Sequence, residues 1–421
     1  MMMAAAALQI GCTADTNDSD ALDPSEPDGP TGTVSSEIRN GMVRPAGEAQ
    51  MVALRMMVAP MAKGCSGQLV RNRFVLTARH CVHAWSGTYN ETASPDPSTF
   101  FRPSLIKLEM GGQQTEADLV FWHPSTDVAV VRAKTPFQVN GSTTGYVRNV
   151  RTSYVWAGEW VHCYGYGLGS PNGAFGTLRY SHNMVTSSWG TQFTIASNGS
   201  AQITMGGDSG GACFSGSDIA GIQVESNDLN WARLITGSAF NPWLQDILNQ
   251  FGSEAYDGLK IRDASGRILV FLGDGAVHIQ SGYELGTYWW WSPTYQTGPI
   301  DEIDPKDGTL LREPNGAISV VYAGAAFHIP SMNELYAMGY ATWPVKTAPT
   351  NARLSVGLRP NRDVLLRDRA TGEIDYVTTN GTRYWLQSWA AYQRYASYGF
   401  PTYTIPSGGL GQFTYGGAIP Y

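Results

Sequence analysis

The chain lacks long apolar runs and has few charged residues, and each of these features excludes a class of protein. No apolar run approaches the roughly 18 residues that a membrane-spanning helix needs, so a helical transmembrane protein is excluded. Charged residues make up only 15% of the 421 positions, whereas hydrophobic residues make up 43%. This composition can fill a packed core, which excludes wholesale disorder, and the length favours two or three domains.

Basic residues are missing from the start of the chain, where Arg39 is the first. Residues 13–37 hold seven acidic residues and three prolines but no aromatic residue. Such a segment cannot bury enough apolar surface to offset its ordering entropy, so we predict a disordered tether or pro-segment. The other 28 acidic residues balance the 28 lysines and arginines, so no nucleic-acid-binding surface is expected.

Residues 1–12 are predicted to be a truncated export signal. Met1 to Ile10 are nearly all apolar, but they are few for a signal peptide and contain no basic residue. Gly11 and Cys12 follow, and a small residue before a cysteine resembles the lipobox of bacterial lipoproteins. Cys12 is therefore a candidate lipid anchor. The alternative is a cleaved signal in which this cysteine is incidental.

Residues 38–252 alternate short runs rich in Val, Thr, Phe and Tyr with turns of Gly, Asn and Ser. Many short strands at close spacing predict an all-β barrel or sandwich. A helix is predicted near the end, over Pro242–Phe251, with Leu244, Ile247 and Leu248 on one face. The predicted strands are Met51–Val58, Gln68–Leu76, Asp118–Phe121, Val128–Arg132, Trp160–Tyr164 and Gly221–Val224.

Residues 253–421 contain no cysteine and repeat themselves. Three segments align around Arg262, Arg312 and Arg367, at spacings of 50 and 55 residues. A turn glycine, a β-like run, a second glycine and a short strand follow each of them. This pattern predicts three tandem units, each a β-hairpin or small sheet with a short helix, for example at Met332–Met338 and Trp389–Ala396. Their aromatic residues, including Trp289–Trp291, either bind a cell wall, a carbohydrate or a protein, or fill the cores of the units.

Three segments together carry the groups needed for nucleophilic catalysis. They centre on His80, Asp127 and Ser209, in that order along the chain. A serine hydroxyl needs a base to take its proton, and the base needs a carboxylate to fix its tautomer. Taken alone, each has an ordinary alternative: a structural or metal-binding histidine, a capping aspartate, and a glycine-rich turn. The segments are Val75–Cys81, His123–Arg132 and Gly206–Gly211.

In this order and context the three segments resemble the trypsin/chymotrypsin-like serine peptidases, over about residues 38–252. The resemblance implies a double β-barrel, followed here by the β-rich repeats with short helices. It implies Ser209 as nucleophile, His80 as general base and then acid, and Asp127 as the orienting carboxylate. The backbone N–H groups of Gly207 and Ser209 would form the oxyanion hole, and a Cβ at Gly207 would resist the required conformation.

The resemblance also implies two disulfides. Cys65 and Cys81 bracket the histidine as a disulfide does in this family. Cys163 and Cys213 lie on strands that the family bridges, each two residues inward of the usual position, which keeps the register. Cys12 is then the odd cysteine. Two disulfides imply an oxidising compartment, so an extracellular or cell-surface location is expected.

The segment from Glu37 to Gly41 resembles the zymogen cleavage site of the family. Cleavage before Ile38 would free an α-amino group that could pair with Asp208 and order the oxyanion loop, because a buried carboxylate needs a cation or a donor. The alternative is that Ile38 and Arg39 are ordinary linker and that Asp208 finds other donors.

The resemblance places the floor of the specificity pocket at Ile203 and its wall at Val224 and Ser226. Ile203 cannot pair a cation, so a preference for a small or apolar side chain is expected and one for Lys or Arg is not. No metal or other cofactor is expected, because the sequence has no His-Glu-x-x-His and no Cys-x-x-Cys.

We therefore expect an exported bacterial serine endopeptidase whose partner is a polypeptide substrate and whose C-terminal repeats serve binding or localisation. One alternative is a catalytically silent peptidase homologue that acts as a surface or binding protein. In another, the repeats at 253–421 are the functional part and the peptidase serves only maturation.

Overall fold

A computed structural model describes residues 38–58, 61–83, 99–167, 175–251, 257–288, 294–297, 300 and 303–420. The predictions for the export signal, for Cys12, for the acidic segment 13–37 and for Trp289–Trp291 lie outside these residues. The chain divides into two compact units, with the boundary after Ser253. Residues 297–301 are grouped with the first unit, although they come later in the chain. No helix in the described part is long and apolar enough to cross a membrane.

The first unit begins with a closed six-stranded barrel, in the order β2-β3-β4-β7-β6-β5. Its strands have inward residues that are almost all apolar and fully buried, which is what a closed sheet needs on its inner face. The predicted strand Gln68–Leu76 is wrong as one element, because a turn at Asn72 and Arg73 divides it. The strands are β1 (Met42–Val43), which lies outside this barrel, β2 (Met51–Val58), β3 (Met61–Arg71), β4 (Phe74–Thr77), β5 (Ile106–Met110), β6 (Gln113–Trp122) and β7 (Ala129–Ala133).

A second barrel of six strands follows, in the order β9-β10-β13-β12-β11-β8, closed by the pairing of β8 with β9. The short β1 pairs with β9 from outside. The prediction of an all-β double barrel is thus confirmed. The helix α1 (Gly237–Phe251) ends the unit, and it starts five residues before the predicted Pro242. The strands are β8 (Trp160–Gly165), β9 (Arg179–Trp189), β10 (Gln192–Ala196), β11 (Ala212–Ser215), β12 (Asp218–Ser226) and β13 (Trp231–Thr236).

The second unit holds three sheets that share one topology: three antiparallel strands, with a fourth strand parallel to the first of them. Short helices lie between them: α2 (Gly282–Tyr288), α3 (Met332–Ala337), α4 (Ala352–Val356) and α5 (Trp389–Ser397). The third sheet has a fifth strand, β26, beside β24. The strands are β14 (Lys260–Arg262), β15 (Ile268–Leu272), β16 (Gly275–Ile279), β17 (Thr294–Gln296), β18 (Leu310–Arg312), β19 (Ile318–Tyr322), β20 (Ala325–Ile329), β21 (Val345–Thr347), β22 (Val364–Asp368), β23 (Ile374–Val377), β24 (Thr382–Leu386), β25 (Thr402–Ile405) and β26 (Thr414–Ile419).

A carboxylate near the start of each sheet binds the turn between the second and third strands of that sheet. Asp257, Asp307 and Asp363 each accept a hydrogen bond from the backbone N–H of the residue sixteen positions later, at 2.6, 2.5 and 3.1 Å. Each of these contacts ties the segment before the first strand to the turn after the second strand. The same contact recurs in all three sheets, and it gives a physical basis to the regular spacing of the three aligned segments in the sequence.

Buried glutamates join consecutive sheets. Glu284 of α2 accepts the backbone N–H of Thr350 at 2.7 Å, and Glu334 of α3 accepts that of Ser407 at 2.8 Å. Both glutamates stand three residues after the serine that caps their helix. In α5 the same position is Ala391, so α5 has no carboxylate there that could bind a backbone N–H of a later segment.

Asp375 of β23 is a buried carboxylate with incomplete hydrogen bonding. One of its oxygens accepts from Arg383 at 2.7 Å, whereas the other has no hydrogen-bond partner among the described residues. Burial outweighs the attraction of Arg383 and raises the pKa of Asp375 from 3.8 to about 6. The folded state therefore holds this proton more tightly than the unfolded chain does. It follows that stability falls as the pH rises from about 4 to about 6, by ~3 kcal/mol.

We expect the unfolding midpoint of the second unit to fall between pH 4 and pH 7, and Asp375→Asn to flatten this dependence because the amide does not ionise. Hydrogen exchange of peptides from β22 and β23, followed with temperature in the full chain, measures it. The exposed Asp246 provides a matched control, since Asp246→Asn should leave the slope unchanged. An Asp375→Asn chain that kept the full pH slope would assign the effect to another group.

Candidate active site

His80 and Asp127 form a closely coupled pair in the first barrel. His80 lies in a 3-10 turn directly after β4, and Asp127 lies in the loop between β6 and β7. The backbone N–H of His80 donates to one carboxylate oxygen of Asp127 at 2.8 Å, and Nδ1 lies 2.7 Å from the other. Because a carboxylate oxygen only accepts, Nδ1 carries the proton and Nε2 is the basic nitrogen.

The pair is shielded from water, as only 5% of His80 and 2% of Asp127 are exposed. Burial by itself would raise the pKa of Asp127. The charge of His80, its two hydrogen bonds and the charge of Arg79 outweigh burial, so the pKa of Asp127 is lowered. Asp127 is therefore ionised at neutral pH and can stabilise a positive charge on the imidazole.

His123 shapes the loop that presents Asp127. Its Nδ1 accepts the backbone N–H groups of Ser125 and Thr126 at 3.2 Å, and the buried Arg79 donates to its carbonyl oxygen at 3.0 Å. Burial and the charge of Arg79 lower the pKa of His123, which keeps Nδ1 an acceptor. Neither residue was assigned a role from the sequence, although an arginine inside the apolar run that ends at His80 was a signal of a buried charge.

The loop that carries Ser209 lies against the strands that lead to His80. The carbonyl oxygen of Ser209 accepts the N–H of Ser66 on β3 at 2.9 Å and lies 3.5 Å from Cys81 Sγ. Gly210, with φ 84°, is so close to β4 that a Cβ there would overlap the hydroxyl of Thr77. The structure thus brings the backbone of Ser209 to the segment that holds His80.

A tight turn precedes Ser209. The N–H of Asp208 donates to the carbonyl oxygen of Met205 at 3.0 Å, and Gly207 has φ 90°, as at the third position of a type II turn. Only glycine adopts this φ without strain, which agrees with the expectation from the sequence. The turn therefore sets the direction of the Gly207 N–H.

Asp208 is fully buried behind this turn. Its two carboxylate oxygens accept the N–H groups of Gly167 at 2.8 Å and of Met205 at 2.7 Å. Ile38, the first described residue, is also fully buried, with φ 27°, and Arg39 forms a β-bridge with Ile203. The first described residues thus lie beside the segment that leads to Ser209.

The three predicted pocket residues occupy two neighbouring segments. Ile203 is fully buried among inward-facing residues of the second barrel, and Val224 is buried on β12. The hydroxyl of Ser226 donates to the carbonyl oxygen of Thr204 at 2.5 Å. Asp228 accepts the N–H of Gly206, and burial raises the pKa of this aspartate. The two segments are therefore joined twice by hydrogen bonds.

Two disulfides flank the site, with the pairing that the resemblance implies. Cys65 is bonded to Cys81 with 6.0 Å between their Cα atoms, and Cys163 to Cys213 with 4.0 Å. Cys163 and Cys213 face each other in the register of β8 and β11. Ligand atoms of Cys65, His80 and Cys81 lie within 4.8 Å of one another, but the disulfide uses both sulfurs, so these residues do not fit a metal ion.

One family model and several solved structures are similar to part of this chain. The family model described as Trypsin matches residues 38–243. Among solved structures, neuropsin, a serine protease of mouse brain, is 16% identical, with a TM-score of 0.39, and covers 49% of this chain and 98% of its own. A scabies mite inactivated protease paralogue is 17% identical, with a TM-score of 0.37, and covers 48% of this chain and 96% of its own. No curated protein matches in sequence. Residues 38–243 form a trypsin-like serine protease domain.

Proposed function

We propose that this chain is an exported serine endopeptidase that cleaves peptide bonds through Ser209, His80 and Asp127. The observation that carries the proposal is the two-point contact between His80 and Asp127, beside which the Ser209 loop is held. That arrangement supplies a base of defined tautomer beside the loop that carries the serine, and acyl transfer to serine needs such a base.

In the proposed reaction, Nε2 of His80 takes the proton of Ser209 as Oγ attacks the carbonyl carbon of the substrate. The oxygen of the tetrahedral intermediate receives hydrogen bonds from the N–H groups of Gly207 and Ser209. His80 then gives its proton to the leaving amine, and an acyl-enzyme remains. Water, deprotonated by His80, attacks this ester, and His80 returns the proton to Ser209 Oγ as the bond to the serine breaks and the acid is released. Asp127 stays ionised throughout, in keeping with its lowered pKa.

The substrate pocket is proposed to take only a small side chain on the acyl side of the cleaved bond. Ser226 bonds to Thr204 across the slot where that side chain would enter, and Asp228 bonds to Gly206 beside it. Segments joined by one hydroxyl leave no room between them for an aromatic ring or a long chain. The aliphatic Ile203 behind them offers no partner to a cation.

Activation by cleavage before Ile38 is a further part of the proposal. The buried Asp208 would exchange some of its present partners for the new ammonium group. The alternative, in which backbone donors serve Asp208, is supported by its bonds to Gly167 and Met205. The two differ in whether a chain that continues upstream of Ile38 is active.

The proposals for the location of the protein and for the role of the repeats rest on the disulfides and on exposed aromatic side chains. Two disulfides suit an oxidising, extracellular setting, where Cys12 would be either lipid-linked or removed with a signal. The second unit exposes large aromatic side chains, such as Trp343 at 49% and Trp389 at 65%. Such residues suit a unit that binds a bacterial cell wall, a carbohydrate or a protein and so places the peptidase near its substrate.

The triad predicts the effect of two substitutions. Ser209→Ala should abolish hydrolysis of ester and peptide substrates and labelling by a fluorophosphonate, without loss of folding. Asp127→Asn should lower kcat by about 10⁴-fold, because the wrong tautomer of His80 would face the serine. Active-site labelling and steady-state kinetics measure both. A wild-type chain that resists the fluorophosphonate both before and after cleavage in front of Ile38 would instead support the silent homologue, a surface or binding protein.

The pocket predicts a change in specificity for Ser226→Gly. Removing the side chain breaks the bond to Thr204 and widens the slot, so cleavage after larger apolar residues should rise relative to cleavage after Gly or Ala. A peptide library digested by both forms and read by mass spectrometry measures the shift. Ser217→Gly, at an exposed turn of the same barrel, is the control and should leave the profile unchanged. A wild-type preference for Lys or Arg would contradict the pocket assignment.

The activation proposal predicts that the uncut chain is folded but nearly inactive and that cleavage before Ile38 switches it on. Asp208→Asn should leave the cut enzyme weak, because an amide cannot neutralise a buried ammonium group. N-terminal sequencing of the active form is the direct measurement. Full activity in a chain that still begins upstream of Ile38 would refute activation and leave the triad untouched.

A further inference from the structure

Ser66 of β3 is a fully buried serine whose polar groups are all engaged. Its N–H donates to the carbonyl oxygen of Ser209 at 2.9 Å, and its carbonyl oxygen accepts the hydroxyl of Thr77 at 2.8 Å. Its hydroxyl donates to the carbonyl oxygen of Gly207 at 3.0 Å and accepts the N–H of Tyr166 at 2.8 Å. One residue of the first barrel thus contacts both residues proposed for the oxyanion hole.

The bond from Tyr166 fixes the direction of the Ser66 hydroxyl. An N–H donor on one lone pair leaves the hydroxyl proton to point at Gly207, and a chain of hydrogen bonds in a dry site strengthens each member. The next amide along, that of Gly167, donates to Asp208. Two successive amides therefore hold the turn before Ser209, one through Ser66 and one through the carboxylate.

The position of the Gly207 carbonyl group limits how far the N–H of the same residue can turn. This N–H is one of the two donors proposed for the oxyanion hole. Gly207 has φ 90° and no side chain, so nothing on the residue itself prevents rotation about its backbone bonds. If its carbonyl oxygen were released, the turn could relax and turn the N–H away from the substrate. A bond to that oxygen from outside the loop removes this freedom.

We propose that Ser66 is a positioning residue for the oxyanion hole, whose hydroxyl holds the carbonyl group of Gly207 and so restricts rotation about the backbone bonds that join this group to the N–H facing the substrate oxygen. This inference rests on the proposed peptidase function. Ser66 touches neither substrate nor the reacting atoms. Its contribution arises in the transition state, where the oxygen carries its negative charge and the direction of the donor matters most.

Ser66→Ala in the full chain removes the hydroxyl and keeps the backbone bond to Ser209. We expect kcat per titrated active site to fall by about 10- to 100-fold, the scale of a small misplacement at a reacting centre, with KM unchanged. Affinity for a peptide aldehyde, which forms a tetrahedral adduct with the serine, should weaken by the same factor. Ser66→Gly, which adds no volume, should behave alike.

Ser181→Ala is the matched control, because Ser181 is equally buried and its hydroxyl bonds to Asn183 within β9. It should leave kcat per site and aldehyde affinity at wild-type values. A purely structural role for Ser66 would lower the number of titratable sites while each remaining site turned over normally, and that result would overturn the inference. A wild-type chain that no fluorophosphonate labels, even after cleavage before Ile38, would overturn the peptidase proposal itself, so the two failures are distinguishable.

Discussion

The site depends on how closely the Ser209 loop approaches the first barrel. That approach is possible because Gly210 has no Cβ and adopts φ 84°, since a side chain there would overlap Thr77. The same contact lets Ser66 reach two carbonyl groups of the loop. His80 follows Thr77 by three residues, so one glycine governs the distance between the loop and the histidine. The second barrel could be complete and the site still unformed if this contact were lost.

Three buried aspartates differ in their hydrogen-bond partners, and such partners affect whether a buried carboxylate is ionised. Asp127 has the charge and two bonds of His80, and its pKa is lowered despite burial. Asp208 is held by two backbone amides on opposite oxygens. Asp375 has Arg383 on one oxygen only, and its pKa is raised to about 6. Burial is common to all three, so the number and charge of the partners make the difference.

The second unit holds three sheets of one topology, and the third departs from the other two. Glu284 and Glu334 each bind the backbone of a later segment, whereas α5 has Ala391 in their place. The third sheet instead gains β26 beside β24. The third sheet thus differs from the others at one helix position and by one added strand.

Local sequence was sufficient to predict about half of the strands of the first unit and an all-β barrel or sandwich, whereas the double barrel was implied by the resemblance to a family. Alternation of apolar and polar residues and turn-forming glycines are short-range signals, and they act within each strand. The errors lay at boundaries: the strand predicted over Gln68–Leu76 is divided by a turn, and α1 begins at Gly237 rather than at Pro242. Both depend on packing against distant segments, which local pattern does not contain.

The sequence by itself determined which residues could serve as nucleophile, base and carboxylate, because His80, Asp127 and Ser209 stand in recognisable local contexts. Only the tertiary structure decided their surroundings. The bond of Ser226 to Thr204 and that of Ser66 to Gly207 join positions 22 and 141 residues apart. Such hydrogen bonds form when the strands close into barrels, so the sequence of one segment does not predict them. The candidate residues are therefore recognisable in the sequence, whereas the surroundings of Ser226 and of the turn before Ser209 come from contacts between segments.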